Sequence, residues 1–394
     1  MSKHYVIVGG GIASLSALSA LRAAAPNEQI TIVAAEPHFA YSKVLLTHLI
    51  AHHIQEKDLF LTSMEFYRQS GVNLHLGTKV DYLDPDRQTV QLSDGTLLKY
   101  DQLLIASGGS PTLNGNFPSD TPDIRGLRTL EDARFIQERA RHGAQVVIWG
   151  GGLVGVKLAC ALNEVGYQVQ MVVTSSIVLS QVADEEAGRI ISTRMQERGI
   201  GLFTKNDISR VLVGKTGLES IVLTDGRTLS CQVLVVAKGV RPNLDFLPLE
   251  WRTGRALPVD NQMRTKLPNV FAAGDVAAAF EITRQENRSV AIWPHAVEQG
   301  RVAALNMADR PVRFRGSLTR NALEILGMPF ISMGIVRPLS INNWDVDIHK
   351  GAGFYRKLVY RDGKLMGAIL LGRVEEAGKL QALIRRQNPV PWSG

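Results

Sequence analysis

A short unit written twice constrains this chain more than anything else in it: an apolar run, a glycine turn, and the start of a helix. In the first copy Val6-Ile7-Val8 leads into Gly9-Gly10-Gly11 and an alanine-rich helix. In the second, Val146 to Ile148 leads into Gly150-x-Gly152-x-x-Gly155 and a helix over Val156 to Val165. A strand that turns sharply on glycine lets the main chain approach a pyrophosphate, and the helix N-terminus that follows offers free N–H groups and a positive dipole end. The first copy reads Gly9-x-Gly11-x-x-Ser14, with serine where a third glycine usually lets helix and strand pack closely; serine is small enough to serve.

The duplication extends beyond the turns. After the first helix, Ile30 to Ala34 forms a strand that ends in Glu36, at the separation where a carboxylate takes the ribose hydroxyls of an adenosine. After the second, Val169 to Val173 forms the matching strand. Ser93-Asp94-Gly95 is a hairpin turn before the apolar strand that ends Ala106-Ser107-Gly108, and Thr224-Asp225-Gly226 precedes Leu234 to Gly239 in the same way. Two copies of a nucleotide-binding unit imply two nucleotide sites. The composition between them, from Gly109 to Gly126, shifts to Pro, Gly, Ser and Asp, as at a domain crossing.

A third apolar strand follows the second copy, Val270 to Ala273, and ends in Gly274 and Asp275. Ala296 to Met307 reads as a helix. From Val312 onward mixed strand and helix patterns, among them Lys357 to Tyr360, Leu365 to Leu371 and a helix over Glu375 to Arg386, indicate a small α+β terminal domain. The expected fold class is α/β: two Rossmann-like domains, the second inserted in the first, plus that terminal domain. The 394 residues are enough for such cores, and a 45% hydrophobic content reads as globular.

Cys160 and Cys231 lie far apart without metal-ligand spacing, which suggests neither a disulfide framework nor a cysteine-based metal site and fits a reducing cytoplasm. No segment approaches the apolar length of a membrane span. The net charge of +7 favours acidic partners. Its basic residues are scattered and no nucleic-acid-binding motif appears, so an acidic redox protein ranks above nucleic acid.

Taken together, Gly9-x-Gly11, Glu36, Tyr41-Ser42-Lys43, Ala106-Ser107-Gly108, Gly150-x-Gly152-x-x-Gly155, Gly239-Val240-Arg241-Pro242-Asn243, Ala273-Gly274-Asp275 and Ile292 to Gly300 resemble the pyridine nucleotide-dependent FAD oxidoreductases of the glutathione reductase type. Within that family the resemblance is nearest to NAD(P)H:rubredoxin oxidoreductases and the flavin part of NAD(P)H nitrite reductases. It implies an FAD domain over 1–112 and 247–311, an NAD(P) domain over 113–246, and a terminal domain over 312–394. FAD would lie with Gly9, Gly11 and Ser14 at its pyrophosphate turn, Glu36 at the ribose, Val80 against the adenine, Ala106, Ser107 and Gly108 at a close corner, and Gly274 with Asp275 at the ribityl chain. The helix beginning near Ala296 would aim its positive end at the pyrimidine of the flavin, with His295 at that entrance, either protonated or as a solvent-facing cap.

The disulfide reductases of this family need a cysteine pair soon after the first unit, and the peroxide- or oxygen-reducing members need one cysteine there. This chain has Tyr41-Ser42-Lys43 instead and no cysteine before Cys160, so thiol relay is excluded. Electrons would leave directly from the flavin, with Lys43 steadying its reduced ring. The second copy departs from the pattern: its strand ends Thr174-Ser175-Ser176, neither acidic nor basic, and Lys157 stands where relatives carry glutamate. NADH is slightly favoured over NADPH, since nothing is positioned for a 2′-phosphate. The expected protein is an NAD(P)H-dependent reductase of a small acidic redox protein such as rubredoxin. The alternative is an FAD-carrying subunit of a larger redox complex, and a homodimer or hetero-complex is open in either case. A membrane quinone reductase ranks last, because the terminal helix is short and charged.

Overall fold

A computed structural model describes residues 2–113, 121–252, 256–338 and 343–386. The Gly109–Gly126 crossing thus lies partly outside the described residues. The chain divides into two compact units, the first made of Met1–Ser42, Lys57–Ser110 and Arg241–Thr319, the second of Lys43–Glu56, Pro111–Val240 and Arg320–Gly394.

The first unit is built on a 5-stranded parallel sheet in the order Val270–Ala272, Gln102–Ile105, His4–Val8, Gln29–Ala34, Asn73–Leu76. Its central strand, His4–Val8, is buried from Tyr5 onward in one core with residues of a helix and with Leu83, Val90 and Leu92 of antiparallel strands inserted later in the chain. Val6 and Ile7 are fully buried, as are Ala17, Leu18 and Leu21 of the helix Ile12–Ala24 that packs on it. The helix Trp293–Met307 lies against Ile12–Ala24, and the two approach so closely that a Cβ on Gly300 would sit 2.2 Å from the carbonyl oxygen of Ala13. That helix starts three residues before the expected Ala296. Pro294 in its first turn explains the early start, since proline lacks only an N–H that would be unpaired there anyway.

The second unit repeats the plan: Gly201–Thr204, Val169–Val173, Val146–Trp149, Val233–Val236 and Ile124–Arg125 form a 5-stranded parallel sheet. Only the outermost strand differs in origin. It comes from upstream of the copy here and from downstream in the first unit. Each sheet carries a 3-stranded antiparallel meander inserted before its fourth strand, Val80–Asp84 with Thr89–Leu92 and Leu97–Lys99 in one, Ile208–Gly214 with Gly217–Leu223 and Thr228–Ser230 in the other.

The C-terminal part of the second unit is a 5-stranded antiparallel sheet, in the order Arg320–Ile325, Met328–Gly334, Lys364–Leu371, Phe354–Arg361, Trp344–Gly351, with the helix Ala377–Arg386 packed on it. It is held to the second nucleotide-binding fold by Asp184, which caps the helix Glu185–Glu197 and accepts hydrogen bonds from Tyr355 Oη at 2.7 Å and Lys357 Nζ at 2.9 Å. No helix among the described residues is long and apolar enough to cross a membrane.

Candidate functional site

Gly9 shows why the first turn needs glycine. Its φ is +127°, its N–H donates to the Val33 carbonyl at 2.8 Å, and a Cβ there would lie 2.1 Å from the carbonyl oxygen of Ala106. Gly11 is the opposite case. It opens the helix Ile12–Ala24 with no side-chain cap, and a Cβ on it would meet nothing within 4 Å. The helix N-terminus thus opens beside a residue with free space around it, the setting in which a phosphate binds. Ser14, one turn along, is buried, and its hydroxyl has no hydrogen-bond partner among the described residues.

The other residues expected at this cradle are distributed as follows. Glu36 is half-buried just past the strand Gln29–Ala34, and its carboxylate accepts a hydrogen bond from Tyr41 Oη. The corner Ala106-Ser107-Gly108 is locked by Asn243: Ser107 Oγ donates to its carbonyl at 2.7 Å, its amide Nδ2 donates to the Ser107 carbonyl at 3.0 Å, and its backbone N–H donates to the Gly108 carbonyl at 2.9 Å. Gly274 donates its N–H to Gln299 Oε1 at 2.8 Å, which ties the turn carrying the half-buried Asp275 to the helix Trp293–Met307. Val80 begins the meander, half-buried and paired with Leu92. Tyr41, Asn243 and Gln299 have no role in the sequence reading beyond motif membership. Their signal is lost there because each acts on a residue distant in sequence or through a single polar atom.

His295 differs from the expectation of a solvent-facing cap. It is 2% exposed, and its Nε2 lies 3.0 Å from both the N–H and the carbonyl oxygen of Leu318, with Phe314 packed edge-on against the ring. Burial turns this residue into an anchor between the helix start and the segment after Gly316.

The second cradle repeats the contacts of the first. Gly150 has φ +129°, its N–H donates to Val172 at 2.9 Å, and a Cβ would lie 2.4 Å from the Ala237 carbonyl oxygen. Gly152 opens the helix Leu153–Glu164, with the nearest atom to a notional Cβ 4.0 Å away. At Gly155 a Cβ would meet the Gly150 carbonyl oxygen at 2.2 Å, which is the close packing that Ser14 replaces in the first copy. The helix begins three residues before the expected Val156, directly at the glycine turn. Past the strand ends, Gly77 and Thr78 donate to the carbonyls of Glu36 and Ala34, while Lys205 and Asn206 donate to those of Ser175 and Val173. Ser175 thus occupies the place of Glu36.

Around that strand end, Lys238 Nζ donates to Thr174 Oγ1 at 2.6 Å and pairs with Asp207 at 3.2 Å, stacked over the Trp149 ring. Burial tends to raise the Asp207 carboxyl, but hydrogen bonds from the Trp149 indole, the Ile208 N–H and Lys238 outweigh it and hold it below the usual range. On the cradle helix Lys157 is half-buried and burial pushes its ammonium below the ordinary lysine value. Lys43 opens a short turn, Lys43–Leu45, in the second unit. Both thiols are buried, and burial pushes Cys160 and Cys231 up to about 12, so neither is a thiolate at neutral pH.

Two glycine cradles of this geometry on paired parallel sheets define a protein that binds two dinucleotides. The chain belongs to the pyridine nucleotide-disulphide oxidoreductase family, whose model matches residues 3–300. Residues 320–388 match the rubredoxin NAD+ reductase C-terminal domain. FAD and NAD(H) are the cofactors of this family, and the open space before Gly11 and Gly152 fits a phosphate at each turn.

Among its relatives is the assimilatory nitrate reductase electron transfer subunit of Bacillus subtilis (strain 168), 28% identical over 98% of this chain and 50% of that protein. Another is the NADH-dependent phenylglyoxylate dehydrogenase subunit epsilon of Aromatoleum evansii, 30% identical over 98% of this chain and 92% of that protein. The chain spans about half the length of the first of these curated relatives and 48% of the Bacillus subtilis nitrite reductase [NAD(P)H]. The fold is that of the reductase in the covalent putidaredoxin reductase–putidaredoxin complex, with a TM-score of 0.90 at 22% identity over 98% of this chain and 94% of that one.

Proposed function

We propose that this protein passes electrons from NAD(P)H, by way of FAD, to a small electron-transfer protein. The observation that carries the reading is the pair of matching open cradles in a chain whose only thiols are buried and protonated. Bound flavin accepts two electrons together and releases them singly, so no sulfur is needed between donor and a one-electron acceptor.

In this reading FAD occupies 1–112 with 247–311, and the nicotinamide nucleotide occupies 113–246. Gly9, Gly11 and Ser14 hold the flavin pyrophosphate turn, Glu36 the ribose, Val80 the adenine, and Gly274 with Asp275 the ribityl chain. Ala106, Ser107 and Gly108 let the backbone pass close. Lys43 supplies positive charge to the reduced ring, and His295 fixes the helix whose dipole adds to it. Gly150, Gly152 and Gly155 hold the second pyrophosphate. The net charge of +7 favours an acidic acceptor such as rubredoxin, and two free thiols suit a reducing, cytoplasmic setting.

A second reading has specific support. Two relatives are named as subunits, of a nitrate reductase and of a phenylglyoxylate dehydrogenase, which favours an FAD-carrying subunit of a larger complex. Anaerobic mixing of the FAD-loaded protein with NADH or NADPH separates the two. Rapid bleaching of the oxidised flavin band supports the reductase. No bleaching with either nucleotide, together with stable co-purification of other chains, supports the subunit.

A further inference from the structure

We infer that the second cradle takes the 2′-phosphorylated nucleotide NADPH at least as well as NADH, and that Lys205 is the residue that meets the 2′-phosphate. The inference rests on the reading of that cradle as a nicotinamide nucleotide site. It differs from the slight preference for NADH expected from the sequence, where nothing is positioned for a 2′-phosphate.

The repeat supplies the frame. The bonds Gly77 N–H to Glu36 O at 3.1 Å and Thr78 N–H to Ala34 O at 3.0 Å in the first unit recur as Lys205 N–H to Ser175 O at 3.0 Å and Asn206 N–H to Val173 O at 3.2 Å in the second. Gly77 has φ +68° and Lys205 has φ +53°, so the two turns share a left-handed residue as well. Where the first cradle sets a carboxylate beside a glycine, the second sets a serine beside a lysine.

That exchange reverses the chemistry. A carboxylate at this place accepts from the ribose hydroxyls and repels a 2′-phosphate. Ser175 carries no charge, and its hydroxyl is already donated to the Ile177 carbonyl at 2.7 Å. Lys205 is exposed, with its backbone bonded directly to the residue that replaces Glu36. Lysine binds phosphate as a compact point charge and needs no bidentate geometry. Behind it Lys238, hydrogen-bonded to Thr174, is balanced by Asp207. Two further carboxylates lie near: Asp225, which accepts from Asn206 Nδ2 at 2.6 Å and pairs with Arg227, and Glu185, at 3.3 Å from Ser176 Oγ in the first turn of its own helix, where the dipole stabilises its charge.

The test is calorimetric titration of the FAD-loaded protein with ADP-ribose and with 2′-phospho-ADP-ribose, which reads binding without turnover. The phosphorylated probe binds at least as tightly as the other. Lys205→Gln weakens it by about tenfold while leaving ADP-ribose unchanged, and Lys205→Arg restores it. An ADP-ribose preference of tenfold or more in the natural protein, or an unchanged ratio in Lys205→Gln, overturns the inference and leaves Glu185 to set the choice. Binding of neither probe overturns the nucleotide reading of the cradle itself, and the inference with it.

Discussion

Glu36 illustrates what a carboxylate at a strand end needs before it can take a ribose. Its spacing from the glycine turn is readable in the sequence. Its orientation is not, because it depends on groups such as the Tyr41 hydroxyl, which hydrogen-bonds the carboxylate from the far side of the intervening loop. Removing that hydroxyl leaves the charge in place and takes away this hydrogen bond. Tyr41→Phe is expected to weaken FAD binding by about fivefold, corresponding to roughly 1 kcal/mol for one hydrogen bond to a half-buried carboxylate. Flavin release on dilution, followed by fluorescence, measures it, and unchanged release would show that Glu36 is held by other means. His295 makes the same point in reverse. Its position before a helix was legible, but its burial depends on Leu318 and Phe314, which no local pattern connects to it.

At the scale of elements, the inner strands of both parallel sheets, the hairpin turns and both glycine turns are legible, because each rests on local pattern: apolar runs, Asp-Gly turns and glycines where φ must be positive; the strands Gly201–Thr204, Ile208–Gly214 and Ile124–Arg125, which complete the second sheet and its meander, are not. The helix starts were misjudged by three residues at Leu153 and Trp293, since apolar periodicity begins later than the hydrogen bonding does. Three strands of the terminal sheet, Arg320–Ile325, Met328–Gly334 and Trp344–Gly351, were not separated from loop, as their pairing is set by partners elsewhere in the sheet.

The two kinds of glycine in one turn give a sharp prediction. Gly9→Ala forces a Cβ to within 2.1 Å of the Ala106 carbonyl oxygen at φ +127°, so the apoprotein itself is destabilised. Gly11→Ala meets nothing in the protein and keeps an ordinary φ of −86°, so its apoprotein should melt within a few degrees of the natural one. Its Cβ instead occupies the space left for the pyrophosphate, and FAD retention is lost. Thermal melts of apo and FAD-loaded protein compare the two. Full FAD retention in Gly11→Ala would mean the phosphate does not pass over this turn.

Across the whole chain, the structure joins Arg320 onward to the second nucleotide-binding fold in one compact unit. The joint was illegible because its partners, Asp184 and Tyr355, are separated by 171 residues. Burial tends to raise the Asp184 carboxyl, but hydrogen bonds from Tyr355, the Ala187 N–H and Lys357 outweigh it, so its value lies below that of an ordinary aspartate. A carboxyl depressed in the folded state stabilises the fold fully above the ordinary aspartate value, about 3.9. That stabilisation drains away as the pH falls through its native value, because the unfolded chain takes up the proton first. Tyr355 sets the other limb. Burial and the bond to Asp184 push its hydroxyl up, so it adds stability that is lost as the pH rises past the ordinary tyrosine value, about 10. Asp184→Asn should therefore cost about 3 kcal/mol near neutral pH, because Lys357 is left buried without its partner charge. It should also flatten the acid side of the stability profile, while Tyr355→Phe removes the alkaline loss and, by taking away one of the bonds that hold the Asp184 carboxyl down, flattens the acid side in part. Urea midpoints of the three proteins across the pH range read both effects. Parallel acid limbs in the natural protein and Asp184→Asn would show that the terminal sheet is held by its apolar contacts and not by this clamp.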